Sequence, residues 1–227
     1  MKIAIVSLKG GVGKTFIAVN LSTYLYRYHQ KKVLLIDLNG KVSNTVLFAK
    51  IKPNNYYGER LFQGIIVTPF FHLKLANSIE DYYKKDLEVL EKVYDFIIFD
   101  VPPNAIKIKK IEQFVDVILL IINPDFLSIY TNYKVYKILD PEKVKLIVNK
   151  YDKEIDLGII SAIFKKPISA VIPHSKDVKE AEKRLLPVVI YKENSKVTKM
   201  FDELCYLFTG KKIKRNILEA IKALFFA

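Results

Sequence analysis

Apolar runs of strand length recur along the chain, and segments with helical periodicity lie between them. The clearest runs cover residues 2–8, 33–37, 96–99, 115–122, 144–149 and 168–173. They lack polar alternation, which is typical of strands buried on both faces of a parallel sheet. After the first run, apolar residues repeat at helical spacing at Ile17, Ala18, Leu21, Tyr24, Leu25 and Tyr28. We therefore predict an α/β fold, a mostly parallel twisted sheet with helices on both faces.

Several segments have weaker patterns. Residues 38–64 contain scattered turn-forming residues, among them Pro53 and Gly58, and predict irregular structure with one short helix. A short strand is expected at 65–69, and Ser78 with Asp81 resembles a capping box for a helix that runs to about Val93. Further along we expect helices at 176–185 and 195–208, with a short strand at 188–191.

The segment after Gly210 has a pattern of its own. Its apolar residues share one helical face, and lysines with one arginine surround them; the apolar set is Ile213, Ile217, Ile221, Leu224 and Phe225. We expect residues 1–210 to form one domain and residues 211–227 to form a basic amphipathic helix packed on it. The alternative is a helix that lies in an anionic membrane interface.

Composition narrows the class of protein. The chain has 227 residues, 51% hydrophobic and 27% charged, which excludes global disorder. No apolar run approaches the roughly 20 residues that a membrane-spanning helix needs. One cysteine and three histidines give neither an internal disulfide nor zinc-ligand spacing. The first residues do not resemble a signal peptide, so a cytoplasmic protein is expected.

The net charge of +13 favours a polyanionic partner, which is DNA, RNA or an anionic membrane surface. Charge alone does not choose among these partners. A lysine excess that only keeps the surface solvated is the alternative, since lysine and glutamate enrichment is common in proteins from thermophiles.

The segment KGGVGKT at 9–15 stands where the first strand meets the first helix. Backbone N–H groups of such a glycine-rich turn converge on an anion together with the helix N-terminus, so Gly10, Gly11, Val12 and Gly13 are expected to cradle phosphates. Lys14 would reach the β and γ phosphates, and the Thr15 hydroxyl would bind Mg²⁺. The alternative is a strand-to-helix turn without a ligand.

Two carboxylates end buried strands. Asp37 follows the run VLLI, and Asp100 follows FIIF in the manner of a Walker B strand. Ligands of α/β sheets bind at the carboxyl ends of the strands, so Lys14, Asp37 and Asp100 are expected on one edge. Asp37 and Asp100 are the expected metal ligands beside Thr15.

The glycine of a strict Walker A motif is replaced by Leu8, and KGGVGKT resembles the deviant Walker A motif of the ParA/MinD family of ATPases. Three further stretches carry this resemblance: VLLIDLN at 33–39, DFIIFDVPP at 95–103, and the C-terminal run AVIPHSKDVKEAE through LPVVIYKENSK. The C-terminal run is most similar to the chromosome and plasmid partition branch. The resemblance implies a P-loop NTPase fold with ATP and Mg²⁺ as ligands.

In this family two subunits close face to face over two ATP molecules. The resemblance implies that Lys9 reaches into the partner subunit's site, which makes hydrolysis dependent on an ATP-bound homodimer. It also implies that Asn149 and Pro173 lie against the adenine.

The partition branch binds DNA without sequence preference through basic residues. The candidates here are Lys183, Arg184, Lys196 and Lys199. A role in DNA partition at the nucleoid follows from the resemblance, with a ParB-like or other partner protein that stimulates release.

Asn39 departs from the family pattern, which has a second aspartate at this place. An asparagine holds water but cannot accept its proton, so only weak ATP hydrolysis is expected. Asn39 also stands beside Gly40, where it could serve only the turn. Two alternatives remain open: a noncatalytic ATP-bound scaffold, and a MinD-like ATPase that acts at the membrane periphery.

Overall fold

The computed structural model describes residues 1–39, 45, 65–76, 79 and 84–213. Its strands are β1 (Lys2–Val6), β2 (Val33–Asp37), β3 (Ile65–Val67), β4 (His72–Leu75), β5 (Phe96–Asp100), β6 (Val117–Ile122), β7 (Val144–Tyr151) and β8 (Ile168–Pro173). They form one sheet in the order β3-β4-β2-β5-β1-β6-β7-β8. Neighbouring strands are parallel except β3 and β4, which are antiparallel. The sheet is therefore mostly parallel, as the apolar runs predict.

The helices are α1 (Lys14–His29), α2 (Lys84–Val93), α3 (Ala105–Ile111), α4 (Phe126–Tyr136), α5 (Leu157–Phe164), α6 (Lys176–Lys183), α7 (Val188–Tyr191) and α8 (Lys196–Thr209). A 3₁₀ turn at Glu112–Phe114 follows α3. Side-chain caps fix where several helices begin: Asn104 accepts from the N–H of Lys107, and Ser195 accepts from that of Thr198. Helix α8 ends at Thr209, and its C-cap Gly210 has φ 64°.

Apolar side chains from the two faces of the sheet form two cores. On β1, Ala4 and Val6 join the core beneath α2 to α5, whereas Ile3 and Ile5 join the core beneath α1 and α6 to α8. This division follows from the alternation of side chains along a strand. Helices therefore cover both faces of the sheet, as predicted.

The strand predicted at 188–191 is wrong, because this segment is the short helix α7. The N–H groups of Ile190 and Tyr191 both donate to the carbonyl of Pro187, at 3.0 and 2.9 Å. Val188 and Val189 are buried in the core beneath α1. Tertiary burial thus outweighs the strand preference of these β-branched residues.

The region before α2 agrees only in part with the expectation. The strand predicted at 65–69 is present as β3, but β4 was not predicted from the sequence pattern. Thr68 closes the turn between them, since its Oγ1 donates to the carbonyl of Phe71 at 2.6 Å. Helix α2 ends at Val93 as predicted. The predicted capping residues Ser78 and Asp81 lie outside the described residues, as do nearly all of 38–64.

The basic helix predicted for residues 211–227 lies outside the described residues from residue 214 onward. Ile213 itself is partly buried against the core beneath α1. Within the described part of the chain, no helix combines the length and the apolar character needed to cross a membrane.

Candidate functional site

The glycine-rich loop joins β1 to α1 at the edge where the parallel strands end. Gly11 and Gly13 have φ of 73° and 100°, which side chains of L-residues rarely allow. A Cβ at Gly10 or Gly11 would have no neighbouring atom within 4 Å. Helix α1 follows directly, and its N-cap Gly13 supplies no side chain to its first N–H groups. The loop therefore presents bare backbone and a free helix N-terminus, which fits a phosphate.

Lys14 is a buried lysine at the first position of α1. It is 8% exposed, and no described residue forms a hydrogen bond or ion pair with its ammonium. Burial lowers the pKa of Lys14, and the charge of Asp100 partly opposes this shift. An anionic ligand at the loop would supply the missing partner.

The carboxylates of Asp37 and Asp100 are brought together by the register of β2 and β5, in which the two residues pair. Thr15 Oγ1 donates to Asp100 Oδ2 at 2.5 Å. The other oxygen, Asp100 Oδ1, is buried and has no hydrogen-bond partner among the described atoms. Burial, and then the charge of Asp37, raises the pKa of Asp100 to about 7.

These oxygens fit Mg²⁺, which prefers oxygen ligands and usually keeps several waters beside substrate phosphates. The orphaned Asp100 Oδ1 would gain a ligand, and the cation would lower the raised pKa of Asp100. Among the described residues no group of three or more histidine, cysteine, aspartate or glutamate side chains could hold a metal alone. The geometry thus fits a cation shared with a phosphate ligand.

Asn39 lies beside this carboxylate pair. Its Nδ2 and its backbone N–H both donate to Asp37 Oδ1, each at 2.8 Å. The other oxygen, Asp37 Oδ2, accepts from the Thr45 hydroxyl. The amide of Asn39 is therefore engaged as a donor, and it offers no carboxylate that could take a proton from water.

A cleft of about 420 Å³ extends from the loop to the end of β8 and the start of α6. Its lining includes Gly11, Gly13, Lys14, Thr15, Asn39, Asn149 and Pro173, all of them predicted site residues. Asn149 is 2% exposed, and its Nδ2 donates to the carbonyl of Val12 at 2.7 Å. Asn149 therefore lines the cleft and supports the loop at once.

The cleft also contains residues that were not predicted from the sequence. Lys150 Nζ donates to the carbonyl of Gly11 at 2.9 Å, and Lys150 has φ 58°. Phe16, His174, Lys179 and Glu182 also line the cleft. The position of Lys150 beside the predicted Asn149 was the one signal for it in the sequence.

Lys9 does not line the cleft in this conformation. Its ammonium pairs with Asp125 at 2.8 Å to Oδ1 and 2.9 Å to Oδ2. Asp125 also caps α4, since its Oδ1 accepts from the N–H of Ser128 at 2.8 Å. Asp125 follows the Asn-Pro pair after β6, and no local pattern connects it with a lysine 116 residues away.

The four predicted DNA-binding residues lie outside the cleft, on or beside α6 and α8. Lys183 pairs with Glu180 at 2.9 Å, and the Arg184 guanidinium lies 5.4 Å from the centre of the Tyr191 ring. Lys196 and Lys199 are exposed on the first turns of α8. Helix α7 contacts both α6 and α8, so these residues belong to one side of the fold.

A glycine-rich phosphate loop and two strand-end carboxylates on a mostly parallel sheet define a nucleotide-binding P-loop protein. The CobQ/CobB/MinD/ParA nucleotide binding domain model matches residues 3–188, and the chain belongs to this family.

The chain is similar in sequence to two curated relatives and in structure to one solved protein. An uncharacterized ATP-binding protein of Methanocaldococcus jannaschii is 28% identical over 95% of this chain and 90% of that protein. A virulence plasmid ParA family protein of Chlamydia psittaci is 28% identical over 70% of this chain and 67% of that protein. The septum site-determining protein MinD of Pyrococcus horikoshii, complexed with Mg-ADP, superposes with a TM-score of 0.77 at 25% identity, over 97% of this chain and 98% of that one. The chain is thus a ParA/MinD-type ATP-binding protein, and these likenesses include both branches.

Proposed function

We propose that this chain binds Mg²⁺ and ATP in the cleft and uses the bound nucleotide as a switch between a monomer and a homodimer. One observation carries the proposal: Lys14, a buried lysine whose ammonium has no hydrogen bond or ion pair with a described residue, lies near Asp100, a buried carboxylate with an orphaned oxygen. A magnesium-bound nucleotide brings a negative charge for the first group and a cation for the second.

Different residues of the site would hold the phosphates and the adenine. The backbone of Gly10 to Gly13 and the side chain of Lys14 would hold the phosphates. Asn149 and Pro173, which also line the cleft, would contact the adenine. The similarity to the Pyrococcus MinD, which is complexed with Mg-ADP, supports a magnesium-bound nucleotide as the ligand.

Thr15, Asp37 and Asp100 would hold Mg²⁺, directly or through water. The cation would neutralise developing phosphate charge. Thr15 Oγ1 donates its hydrogen to Asp100 Oδ2, and its lone pairs stay free to ligate the cation, so this hydrogen bond could persist when Mg²⁺ binds.

Hydrolysis is proposed to be slow. Asn39 replaces the aspartate expected from the family pattern, and its amide is held by Asp37. Lys9 would supply the second cation to a partner subunit's nucleotide only after it leaves Asp125. Both features favour a long-lived ATP-bound state over rapid turnover. A chain without any turnover, acting as an ATP-bound scaffold, is the limiting form of the same proposal.

The dimer is proposed to bind DNA without sequence preference and to act in DNA partition. The excess of 13 positive charges and the location of Lys183, Arg184, Lys196 and Lys199 on one side of the fold support it. The similarity to a plasmid ParA family protein supports the same role. A partner protein that stimulates nucleotide release belongs to this proposal.

A second candidate is a MinD-like role at a membrane surface through residues 211–227. The structural similarity to MinD favours it. Ile213 is partly buried against the core, which favours instead a C-terminal segment that packs on the domain where it begins.

The first test is phosphate release from ATP with Mg²⁺, with and without nonspecific DNA, for the native chain, Lys14→Ala and Asn39→Asp. We expect slow native turnover that requires Lys14. If Lys14→Ala turns over as fast as the native chain, the assigned site is wrong. Turnover only in Asn39→Asp would identify the native chain as an ATP-held scaffold.

DNA binding is tested with a charge-reversed pair, Lys183→Glu with Lys199→Glu, against the control pair Lys134→Glu with Lys137→Glu on and beside α4. Each lost phosphate contact lowers the slope of log affinity against log salt by about 0.9. We expect the slope to fall by about 2 in the first pair and to stay unchanged in the control. Equal effects in both pairs would contradict the assigned surface.

A further inference from the structure

Asn132 on α4 is a buried amide whose hydrogen bonds reach the start of the phosphate loop. It is 0% exposed. Its Oδ1 accepts from Ser7 Oγ and from the backbone N–H of Leu8, each at 3.0 Å. Its Nδ2 donates to the carbonyls of Ile121 at 3.2 Å and Ser128 at 2.9 Å. One side chain thus joins β6 and α4 to the residues that enter the loop.

These bonds fix which way the amide points. An asparagine oxygen accepts and its nitrogen donates, and here the oxygen faces two donors while the nitrogen faces two carbonyls. A flipped amide would set its NH₂ against the N–H of Leu8 and its oxygen against carbonyls. Because a buried polar group without a partner is costly, the observed orientation is held strongly.

The connection extends one step further into the loop. Ser7 Oγ, which donates to Asn132, also accepts from the backbone N–H of Lys9 at 3.3 Å. Asp125, the N-cap of the same helix, binds the Lys9 ammonium. The first residue of the loop is therefore held at its side chain by Asp125, the N-cap of α4, and at its backbone by Ser7, which in turn is bonded to Asn132 on α4.

We propose that Asn132 is a positioning residue of the phosphate loop. It fixes the backbone from Ser7 to Lys9, and through it the direction of the loop N–H groups that would bind phosphate. This inference rests on the proposed function, since it concerns the same nucleotide site. Asn132 lies outside the motif KGGVGKT and does not line the cleft, so it acts through the loop and not by touching the nucleotide.

The chain offers a matched control, Asn20. It is also a buried asparagine on a helix, 1% exposed, but its bonds go elsewhere. Its Nδ2 donates to the carbonyl of Phe16 at 2.9 Å, and its Oδ1 accepts from the N–H of Val189 at 3.2 Å. Asn20 ties α7 to α1 and forms no described bond with residues 7–9. Removing it lowers stability without releasing the start of the loop.

The experiment compares Asn132→Ala with Asn20→Ala, using titration of Mg-ATP and Mg-ADP at 25 °C and thermal unfolding without nucleotide. We expect both variants to have a lower Tm. Asn132→Ala is expected to raise both nucleotide Kd values by about tenfold, the effect of one lost and unsatisfied hydrogen bond, and Asn20→Ala by less than about twofold. Equal changes in Kd for the two variants, or an unchanged Kd for Asn132→Ala, would overturn the proposal.

A second pair covers the case in which Asn132→Ala does not fold. Ser7→Ala removes the hydroxyl between Asn132 and Lys9, whereas Ser22→Ala removes a buried hydroxyl with no described partner. We expect only Ser7→Ala to weaken nucleotide binding. Equal Kd values for the two serine variants would refute the connection from α4 to the loop.

Lys14→Ala separates failure of this inference from failure of the proposed function. If the native chain does not bind ATP, or if Lys14→Ala binds it equally well, both fall together. If Lys14→Ala loses binding while Asn132→Ala and Ser7→Ala retain it, only the positioning role is refuted.

Discussion

Replacing Gly13 by alanine tests the loop geometry in the absence of any ligand. At φ 100° an alanine is strained, which costs about 1–2 kcal/mol. Its Cβ would overlap Asn149 Nδ2, so the amide must move and give up its bond to the Val12 carbonyl. Losing that buried bond costs a further 1–3 kcal/mol, roughly. The reduced entropy of the unfolded chain returns about 0.4–1 kcal/mol. We expect a net destabilisation of about 1–5 kcal/mol.

The assay is urea unfolding of the nucleotide-free protein, and the other loop glycines are its controls. Gly10 has no positive φ, and a methyl group added there would meet no atom within 4 Å, so Gly10→Ala is expected to be neutral or slightly stabilising. Gly11 has φ 73° and open space, so only the strain applies and Gly11→Ala is expected to lie between the two. If Gly13→Ala costs no more than Gly10→Ala, the contact between the loop and Asn149 is wrong.

Three further predictions concern charge at the site. Asn39→Asp is expected to raise ATP turnover by about 10²-fold, measured as phosphate release, because a carboxylate can act as a general base. The same change is expected to destabilise the nucleotide-free protein in urea unfolding, because the new carboxylate repels Asp37. The pKa of Asp100 is raised from 3.8 to about 7. Between these values the folded protein keeps a proton that the unfolded chain loses. This carboxyl therefore makes the free energy of unfolding fall as the pH rises from about 4 to about 7. In Asp100→Asn that contribution disappears, so the variant gains stability relative to the native protein across this range; a difference that is constant with pH would contradict the burial argument. Asp125→Asn keeps an oxygen to cap α4 but removes the charge that holds Lys9, so we expect tighter ATP-dependent dimerisation by sedimentation, with stability changed by no more than about 1 kcal/mol.

The central part of the fold could be predicted from the sequence because its strands are buried on both faces. The runs that became β1, β2, β5, β6 and β7 are continuous and apolar, and each precedes or follows a helical repeat. The glycines of the loop and the aspartates at the strand ends stand at fixed places relative to those runs. Parallel pairing alone then brings Asp37 and Asp100 side by side.

Short elements escaped prediction where tertiary contacts decide the backbone. The four residues of α7 are β-branched or aromatic in a way that suits a strand, yet Pro187 and burial against α1 make them helical. Strand β4 was missed because its four residues are too few to show a clear periodicity.

The contacts that support the loop could not be read from local patterns either. Asn132 is 125 residues from Ser7, and Asp125 is 116 residues from Lys9. Both belong to the capped helix that follows β6, which is next to β1 in the sheet. Strand order is needed to place them beside the loop, and the apolar runs do not specify it.

Equilibrium binding of ATP with Mg²⁺ to the native chain and to Lys14→Ala tests the central claim most directly. The ammonium of the buried Lys14 forms no ion pair with a described residue and is expected to gain one from the nucleotide, so the native chain should bind one ATP per chain. Lys14→Ala should then bind at least tenfold more weakly, since a charge-assisted hydrogen bond contributes about 1.5–3 kcal/mol. Equal affinities, or no binding by the native chain, would contradict the assignment of this cleft as the nucleotide site.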